Sequence, residues 1–313
     1  MTLRVRVKAA AWEAPQIVSY ELRPPDGGEL PPFTAGAHID LRLGNGLARS
    51  YSLTNSQDER HRYVIGVQKD RASRGGSQWV HENLRVGDIL SLDGPRNHFA
   101  LDESAAQSIL VAGGIGITPI LCMVRRLASL GREWRLLYCA RRRADAAFVD
   151  ELAAFGPRVM FNFDEEPGGR MLDIAAVVRD ASPDAHLYCC GPTPMLAAFE
   201  AATAQLPRER VHVEYFGAKE APAEVGGLTV VLARSGREFV VPQGKTILET
   251  LLDAGLDVAH SCTQGVCGAC ETKVLEGVPD HRDLVLTEAE QASGATMMIC
   301  CSGAKTERLV LDL

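Results

Sequence analysis

The feature that most constrains this chain is a run of closely spaced cysteines, CTQGVCGAC, from Cys262 to Cys270. Two glycines lie between the cysteines, and glycine tolerates the positive φ angles that let a loop curl and point N–H groups at sulfur. Such a loop is a metal site, a disulfide knot or an ordinary turn. As a metal site it needs a fourth ligand, for which Cys300 and Cys301 are adjacent candidates.

The spacing of Cys262, Cys267 and Cys270 is C-x₄-C-x₂-C, which is the plant-type [2Fe–2S] spacing. Thiolates are soft donors that suit iron–sulfur clusters. Zinc sites usually have paired C-x₂-C units, and this loop has one. A disulfide knot fits poorly, because the N-terminal MTLRVRVKAA lacks the apolar core of a signal peptide and predicts a cytoplasmic protein. The sequence therefore favours an iron–sulfur site.

Length and charge narrow the remaining classes. The chain has 313 residues, which predicts two or three domains, and no run reaches the ~18 apolar residues of a membrane span. The net charge of −7 argues against a nucleic-acid binder, which would be basic. From residue 227 to 313 there are seven Lys/Arg and twelve Asp/Glu, so this segment carries −5 of the −7. This acidity indicates either a solvated surface or a docking face for a basic partner.

The pattern of apolar residues changes near residue 106. Up to about residue 100, short alternating runs separated by Gly and Pro predict a small β-barrel or sandwich, with one helix over 77–84. The predicted strands there are LRVRVKAAAW, AHIDLRL, RSYSLTN and RYVIGVQ. From about residue 106, buried strands alternate with helical patterns, which predicts a parallel sheet with helices on both faces.

The alternating region has clear element boundaries. The strands SILVAGG, WRLLYCA and AHLYCC are followed by the helical segments TPILCMVRRLASLG, ADAAFVDELAAFG and TPMLAAFEAATAQL. Pro119 lies in the first turn of the first helix and Gly131 follows its end. The polar, Gly- and Pro-bearing segment 217–227 predicts a linker. Beyond it we expect a hairpin turning at Ser235–Gly236, a helix ended by Gly255, and a last strand, RLVLDL.

A glycine-rich turn, AGGIGITP (112–119), joins the first of these strands to its helix. Gly114 and Gly116 match the G-x-G-x-x-G dinucleotide fingerprint, but Pro119 takes the third glycine position. A helix N-terminus after such a turn can bind phosphate. The motif alone leaves a nicotinamide dinucleotide site and a simple tight turn equally open.

Several motifs in one order resemble a known family. RSYSLTN (49–55), RGGS (74–77), GGIGITP and YCCGP (188–192) are similar in order to those of the ferredoxin–NAD(P)H reductase superfamily. With the cysteine loop, the whole chain resembles the phthalate dioxygenase reductase and vanillate O-demethylase reductase family, as do PDHRDLVL (279–286), VHVEYFGA (211–218) and LVLDL.

The resemblance implies three domains joined by one linker. It implies an antiparallel FMN-binding β-barrel over 1–104 and an NAD(P)-binding α/β domain over 105–218. A linker over 219–227 would follow, and then a β-grasp [2Fe–2S] ferredoxin domain over 228–313. The family uses FMN, although the residues themselves leave FAD open.

The resemblance also implies the flavin site. Tyr51 would pack on the flavin ring, Arg49 would neutralise its phosphate and Ser52 would lie near N5. The segment 74–77 would hold the same phosphate at the start of the predicted helix. The flavin set is Arg49, Tyr51, Ser52, Val67, Lys69, Arg74, Gly75, Gly76 and Ser77. Plain strand alternation is the alternative for Tyr51 and Ser52.

Nicotinamide binding and the reacting groups follow by the same resemblance. The nicotinamide set is Gly114, Gly116, Thr118, Arg141, Cys190, Gly191, Pro192 and Phe216, and Thr118 would also touch the flavin. The catalytic set is Ser52, Cys190, Glu214 and Phe216. Cys190 would face the nicotinamide, and Phe216 would cover the flavin until nicotinamide displaces it. Ordinary interdomain packing is the alternative for Phe216.

In the family the fourth cluster ligand follows the third by thirty positions, which selects Cys300 and leaves Cys301 to pack as a small apolar side chain. The metal set is then Cys262, Cys267, Cys270 and Cys300. One departure concerns Arg141–Arg143, where the family has an acid shortly after its arginine. Arginine accommodates the 2′-phosphate of NADP, so NADH is expected with NADPH as an alternative, unless these residues form only a solvated loop.

The predicted function follows from a mismatch between carriers. Nicotinamide gives two electrons as hydride, a [2Fe–2S] cluster takes one at a time, and a flavin does both. The resemblance implies an NAD(P)H-dependent oxidoreductase, a monomer on its own, that serves a Rieske non-haem iron oxygenase of the ring-dioxygenating or O-demethylating type. Service to a haem monooxygenase or a free ferredoxin, and a flavin/Fe–S redox sensor, are the alternatives. Neither nucleic acid nor a membrane is expected as a partner.

Overall fold

The computed structural model describes residues 2–223 and 226–313. Its backbone contacts divide the chain into two units, one ending at Glu214 and one beginning at Tyr215. We call them the first unit and the second unit.

The first unit begins with an antiparallel β-barrel. Its elements are β1 (Thr2–Ala14), β2 (Ile17–Arg23), β3 (His38–Arg42), β4 (Ala48–Ser52), β5 (Tyr63–Gln68), α1 (Gly76–Asn83) and β6 (Ile89–Arg96). The sheet order is β4-β3-β6-β1-β2-β5. A bridge between Leu53 and Ile65 brings the two outer strands together and closes the barrel. Alternation places Val5 and Val7 in the core while their neighbours face out, as expected for a strand with one buried face.

The barrel is followed by a parallel sheet with helices. Its elements are β7 (Gln107–Gly113), α2 (Ile117–Ser129), β8 (Glu133–Ala140), α3 (Val149–Ala153), β9 (Val159–Phe163), α4 (Ile174–Arg179), β10 (His186–Cys190), α5 (Thr193–Thr203) and β11 (Val211–Glu214). The order β11-β10-β7-β8-β9 makes the chain leave β7 in one direction and return to its other side at β10. The gap between the carboxyl ends of β7 and β10 is therefore the topological switch point, where α/β proteins bind ligands.

One predicted helix is much shorter than the sequence indicated. The segment ADAAFVDELAAFG forms α3 only over Val149–Ala153, with short 3₁₀ turns at 143–145 and 156–158. Phe148, the residue before α3, has a φ of 58°, which no α-helix allows. Its ring packs against the barrel, so tertiary contact overrides the local helical pattern.

The second unit is a mixed sheet with a packed helix. Its elements are β12 (Thr229–Leu232), β13 (Glu238–Val240), α6 (Ile247–Asp253), β14 (Glu271–Glu276), β15 (Pro279–Asp280), α7 (Glu288–Ser293), β16 (Thr296–Met298), β17 (Gly303–Ala304) and β18 (Arg308–Leu311). The main sheet has the order β13-β12-β18-β14-β16, and α6 begins with a capping box between Thr246 and Glu249. The predicted class, an antiparallel barrel, a parallel-sheet α/β region and a ferredoxin-like α+β region, is confirmed.

The predicted linker contains neither helix nor strand over 219–223 and 226–227, while Glu224 and Val225 lie outside the described residues. Across the described part of the chain, no helix has the length and apolarity to cross a membrane.

Candidate functional site

The first corner of the site lies where β4 faces the start of α1. The Arg49 guanidinium donates from Nη2 to the carbonyl oxygen of Arg74 at 3.0 Å. A Cβ on Gly76 would lie 2.6 Å from Arg49 Cγ and Nε, so only glycine lets this side chain cross the first turn of the helix. The N-cap residue Gly75 has no side chain to cap α1, whose first turn carries no acid, and the Ser73 hydroxyl accepts from the Gln78 N–H at 3.3 Å. The other N–H groups of this turn, beside a guanidinium, suit a phosphate.

Tyr51, two residues further along β4, has a buried hydroxyl without a hydrogen-bond partner among the described residues. Burial raises the pKa of this phenol despite the nearby Arg49 charge, so it stays protonated. An unsatisfied buried hydroxyl costs about 1–3 kcal/mol unless a ligand supplies an acceptor. The orphaned group therefore fits a bound polar cofactor such as FMN. Ser52 is buried and pairs through its backbone with His38.

Other members of the flavin set already have partners. The Val67 carbonyl oxygen lies 2.9 Å from His81 Nε2, and Lys69 Nζ donates to Glu82 Oε1 at 2.9 Å, both on α1. The Ser77 hydroxyl donates to Ser73 Oγ at 3.0 Å. These contacts place Val67, Lys69 and Ser77 around α1, and their roles toward FMN stay predictions.

The barrel and the parallel sheet meet at Gly66 of β5. A Cβ there would lie 2.8 Å from Thr118 Cγ2 and 3.4 Å from Phe148 Cζ. Thr118 also donates to the Ile115 carbonyl oxygen at 2.9 Å, which ties the first turn of α2 to the glycine turn before it. Thr118 thus connects the glycine turn to the strand that carries Val67. Sequence reasoning missed Phe148, whose positive φ depends on this contact.

The predicted nicotinamide residues come together at the switch point. A Cβ on Gly116 would lie 2.2 Å from the Cys190 carbonyl oxygen, and one on Gly113 would lie 2.7 Å from Pro192 Cδ. Both turns pack so closely that a side chain at either glycine would collide with the other turn. Gly114, with φ of 53°, has open space instead. This is an approachable, glycine-lined crevice of the kind that takes a dinucleotide.

Two ionisable groups lie at the carboxyl end of this sheet. Cys190 and Glu214 are register partners on β10 and β11, and their side chains share a hydrogen bond. Burial raises the pKa of Glu214 to about 8, and burial with the adjacent carboxyl raises the pKa of Cys190 well above its usual value. Glu214 Oε2 is buried without a partner among the described residues. Near neutral pH both groups are protonated, so this end of the sheet carries no buried charge, and the carboxyl can act as a proton donor.

The arginines after β8 face carboxylates. Arg141 Nε lies 3.6 Å from Glu165, and Arg142 Nε lies 3.3 Å from Glu165 and 3.7 Å from Asp145. Sequence reasoning missed Glu165, because it follows β9, which only the folded sheet brings next to β8. A 2′-phosphate would have to displace this carboxylate from both guanidinium groups.

Phe216 belongs to the second unit and exposes 46% of its surface. Its proposed cover of the flavin stays a prediction.

The cysteine loop of the second unit forms two thiol pairs. The Cys267 thiol hydrogen-bonds with Cys262, and the Cys270 thiol with Cys300, and all four residues are buried. Among the described residues, no three His, Cys, Asp or Glu side chains converge on a single-ion site. Two separate pairs suit a two-iron cluster, in which each iron takes two thiolates. The Gln264 N–H, 3.3 Å from Cys262 Sγ, adds a backbone donor of the kind that surrounds such clusters.

Cys301 is arranged differently from its neighbour. Its thiol lies 3.7 Å from the Met298 carbonyl oxygen and 3.9 Å from Ser302 Oγ. A Cβ on Gly265 would lie 2.5 Å from Cys301 Sγ, so this thiol packs beneath the loop. The arrangement supports Cys300 as the fourth ligand.

Two family models match the chain. Residues 110–201 match the oxidoreductase NAD-binding domain, and residues 230–305 match the 2Fe-2S iron-sulfur cluster binding domain. These ranges cover the switch point and the cysteine loop respectively.

Curated relatives match over nearly their full length. The chain is 58% identical over 309 residues to phenoxybenzoate dioxygenase subunit beta of Ectopseudomonas oleovorans, covering 99% of this chain and 97% of the relative. It is 55% identical to tetrachlorobenzoquinone reductase of Sphingobium chlorophenolicum, covering 100% and 98%. It is 42% identical to phthalate dioxygenase reductase of Burkholderia cepacia, covering 99% and 97%.

Solved structures show the same arrangement of elements. Phthalate dioxygenase reductase, a modular structure for electron transfer from pyridine nucleotides to [2Fe–2S], matches at 41% identity and a TM-score of 0.76, covering 100% of this chain and 98% of that chain. An intact type IV self-sufficient cytochrome P450 monooxygenase matches at 40% identity and a TM-score of 0.89. The match covers all of this chain but 41% of that longer chain.

Proposed function

Because the chain belongs to the reductase family that contains phthalate dioxygenase reductase, we propose that it delivers its electrons to a Rieske-type non-haem iron oxygenase. The chain is an NAD(P)H-dependent oxidoreductase with FMN and a [2Fe–2S] cluster as cofactors and NADH as electron donor, and it acts as the reductase of an oxygenase system. The observation that carries the proposal is the full-length identity of 58% to a subunit of an aromatic dioxygenase. A cluster that gives single electrons also suits an acceptor that takes them singly.

We assign the flavin to the corner between β4 and α1. Bound FMN supplies the conversion of a two-electron donation into single electrons. Arg49 and the first turn of α1 hold its phosphate, as the glycine at position 76 and the helix start without an N-cap side chain support. Tyr51 would pack on the flavin, which would give the orphaned Tyr51 hydroxyl an acceptor. Arg74 and Gly75 complete the turn, and Ser52 lies toward the reacting edge.

We assign nicotinamide to the crevice at the switch point. Gly114 leaves open space for the dinucleotide, Gly116 lets the two turns pack together, and Gly191 with Pro192 form the opposite wall. Cys190 would face the nicotinamide ring, and the protonated Glu214 holds a proton at the carboxyl end of β11. The Glu165 carboxylate opposes Arg141 and Arg142, which favours NADH over NADPH.

We assign the cluster to Cys262, Cys267, Cys270 and Cys300, with one thiol pair for each iron. The domains are 1–104 for FMN, 105–218 for nicotinamide and 228–313 for the cluster, with 219–227 between them. A monomer in the cytoplasm is the remaining part of the proposal. A reducing compartment suits nine cysteines that form no disulfide among the described residues.

Reconstitution with a purified Rieske oxygenase that acts on an aromatic acid or aryl ether tests the acceptor. We expect NADH-dependent product formation that needs both proteins, and cluster oxidation that follows addition of the oxygenase. Rapid oxidation by a haem monooxygenase or a free ferredoxin, with none by any Rieske oxygenase, would overturn the assignment.

A second candidate is direct reduction of a small quinone, favoured by the 55% identity to tetrachlorobenzoquinone reductase. Halogenated benzoquinone reduction by the reductase alone distinguishes it. The Cys300→Ser variant then shows which cofactor reduces the quinone, because quinone reduction by the flavin should survive loss of the cluster.

A further inference from the structure

The first residues of the second unit lie beside the cysteine loop. We call residues 215–223 the strap. At its far end, the Ala223 N–H donates to the Cys301 carbonyl oxygen at 2.8 Å. Near its start, Gly217 lies against Gln264, since a Cβ at Gly217 would be 3.7 Å from Gln264 Oε1. The strap therefore contacts Cys301, the neighbour of the proposed ligand Cys300, at one end and Gln264, within the cysteine loop, at the other.

Arg282 provides the side-chain anchor of the strap. Its Nη1 donates to Glu220 Oε2 at 3.2 Å, while Nη2 donates to Asp280 Oδ2 at 2.9 Å. Its backbone N–H donates to Ser302 Oγ at 3.2 Å. Arg282 thus joins the middle of the strap to the segment that follows Cys301. This contact gives the motif PDHRDLVL a structural role that is separate from binding the cluster.

The anchor is weak enough to be reversible. Arg282 and Glu220 expose 38% and 62% of their side chains, and exposed ion pairs contribute little and lose strength in salt. Segment 219–223 contains no helix or strand that would hold it otherwise. The Ala223–Cys301 hydrogen bond and the Arg282–Glu220 pair join the strap to the segment around Cys301.

The strap can influence the cluster through Gln264, which contacts both the strap and a proposed ligand. The Gln264 N–H donates to Cys262 Sγ at 3.3 Å, and its side chain faces Gly217. Hydrogen bonds to cysteine sulfur tune the reduction potential of an iron–sulfur cluster. A strap that leaves the loop removes a neighbour from the residue that makes this bond.

We propose that Arg282 is a positioning residue that keeps the strap seated on the cluster loop and thereby sets the rate at which the oxidised cluster takes one electron from the reduced flavin. The inference rests on the proposed flavin and cluster sites, but not on the identity of the outside acceptor. Each step moves one electron: the flavin, reduced by NADH, loses it, and the oxidised cluster gains it.

The test uses the full-length holoprotein with Arg282→Gln and Glu220→Gln, and Arg308→Gln as matched control. Arg308 forms a surface pair of the same kind with Glu276, at 2.8 Å, in the same unit. We expect hydrogen exchange over 217–223 to rise about two- to five-fold in both strap variants, as loss of one exposed pair allows. In stopped-flow experiments with NADH, the rate of flavin reduction should stay the same, while the rate of cluster reduction should fall about two- to five-fold. The electron spin resonance signal of the reduced cluster should also shift. The double variant should be no slower than either single one.

Unchanged cluster reduction in the presence of faster strap exchange would overturn the proposal, as would slowing in Arg308→Gln to the same extent. Because Glu220 is exposed on the strap, its variant keeps the test valid if Arg282→Gln folds poorly. Failure to bind a cluster or flavin in the unmodified protein would instead overturn the proposed function.

Discussion

Cys190 and Glu214 are direct register partners on neighbouring parallel strands, and their side chains form a hydrogen bond at the carboxyl end of the sheet. The contact places a protonated carboxyl next to the turn at Gly191, one wall of the crevice to which we assign nicotinamide. Since no cation lies beside Glu214 within residues 2–223 and 226–313, a carboxylate here would be an unpaired buried charge, and the fold favours the neutral form.

The first prediction concerns the effect of this carboxyl on stability. The pKa of Glu214 is about 8 in the fold and about 4.3 in an unfolded chain, so between these values the folded state holds a proton that the unfolded state has lost. The free energy of unfolding should therefore fall as the pH rises through this window, by about 2–4 kcal/mol from this group. Urea unfolding at pH 5 and pH 8 measures it.

Glu214→Gln should remove most of that fall and make the protein more stable at pH 8. Glu133→Gln, at an exposed carboxyl at the start of β8, should leave it unchanged. A wild-type stability that is flat between pH 5 and pH 8 would contradict the raised pKa.

The second prediction concerns the choice of nicotinamide. Glu165→Gln removes the carboxylate that opposes Arg141 and Arg142. Kcat/KM for NADPH should rise about 10-fold relative to NADH, since a freed guanidinium gives a charge-assisted bond of about 1.5 kcal/mol to the 2′-phosphate.

Glu166→Gln is the matched control, because Glu166 accepts from the backbone N–H of Arg143 and faces neither guanidinium. If both variants leave the NADPH to NADH ratio of steady-state rates unchanged, the arginines do not form the 2′-phosphate subsite.

Arg49 carries the third prediction. Arg49→Gln should raise the Kd for FMN about 10- to 100-fold, as expected when a charge-assisted contact to phosphate is lost. Flavin fluorescence during titration of the flavin-free protein measures it. Arg42→Gln, on the neighbouring strand and paired with Asp93, should bind FMN normally. Equal weakening in both variants would point to damage of the barrel instead of loss of a phosphate ligand.

The parts of the fold that the sequence predicted have strong local signals. Strand β1 alternates over Thr2–Val7, and α2 has Pro119 in its first turn and ends before Gly131. Strands β2 and β6 were missed: β2 has no clean alternation of buried and exposed residues, and β6 contains Gly94–Pro95, a turn signal. Local pattern therefore predicts an element well only where one face is buried and the ends are marked.

The parts of the site that escaped prediction depend on contacts distant in sequence. Glu165 reaches Arg142 because β9 pairs with β8, and Phe148 has its positive φ beside Gly66 of the barrel. The strap contact between Ala223 and Cys301 spans a whole domain of sequence. Motif spacing predicts which residues carry chemistry, but these neighbours follow only from the folded chain.

The fourth prediction separates the two adjacent cysteines. Cys300→Ser should abolish or distort the cluster, because the Cys300 thiol pairs with Cys270 inside the loop, while flavin reduction by NADH continues. Cys301→Ser should keep the full iron content and cluster absorption, because that thiol packs under Gly265 and against the Met298 carbonyl oxygen. A buried thiol replaced by a hydroxyl should still cost about 1–2 kcal/mol of stability. Iron and sulfide analysis with the visible spectrum measures both variants. A cluster retained by Cys300→Ser and lost by Cys301→Ser would move the fourth ligand by one residue.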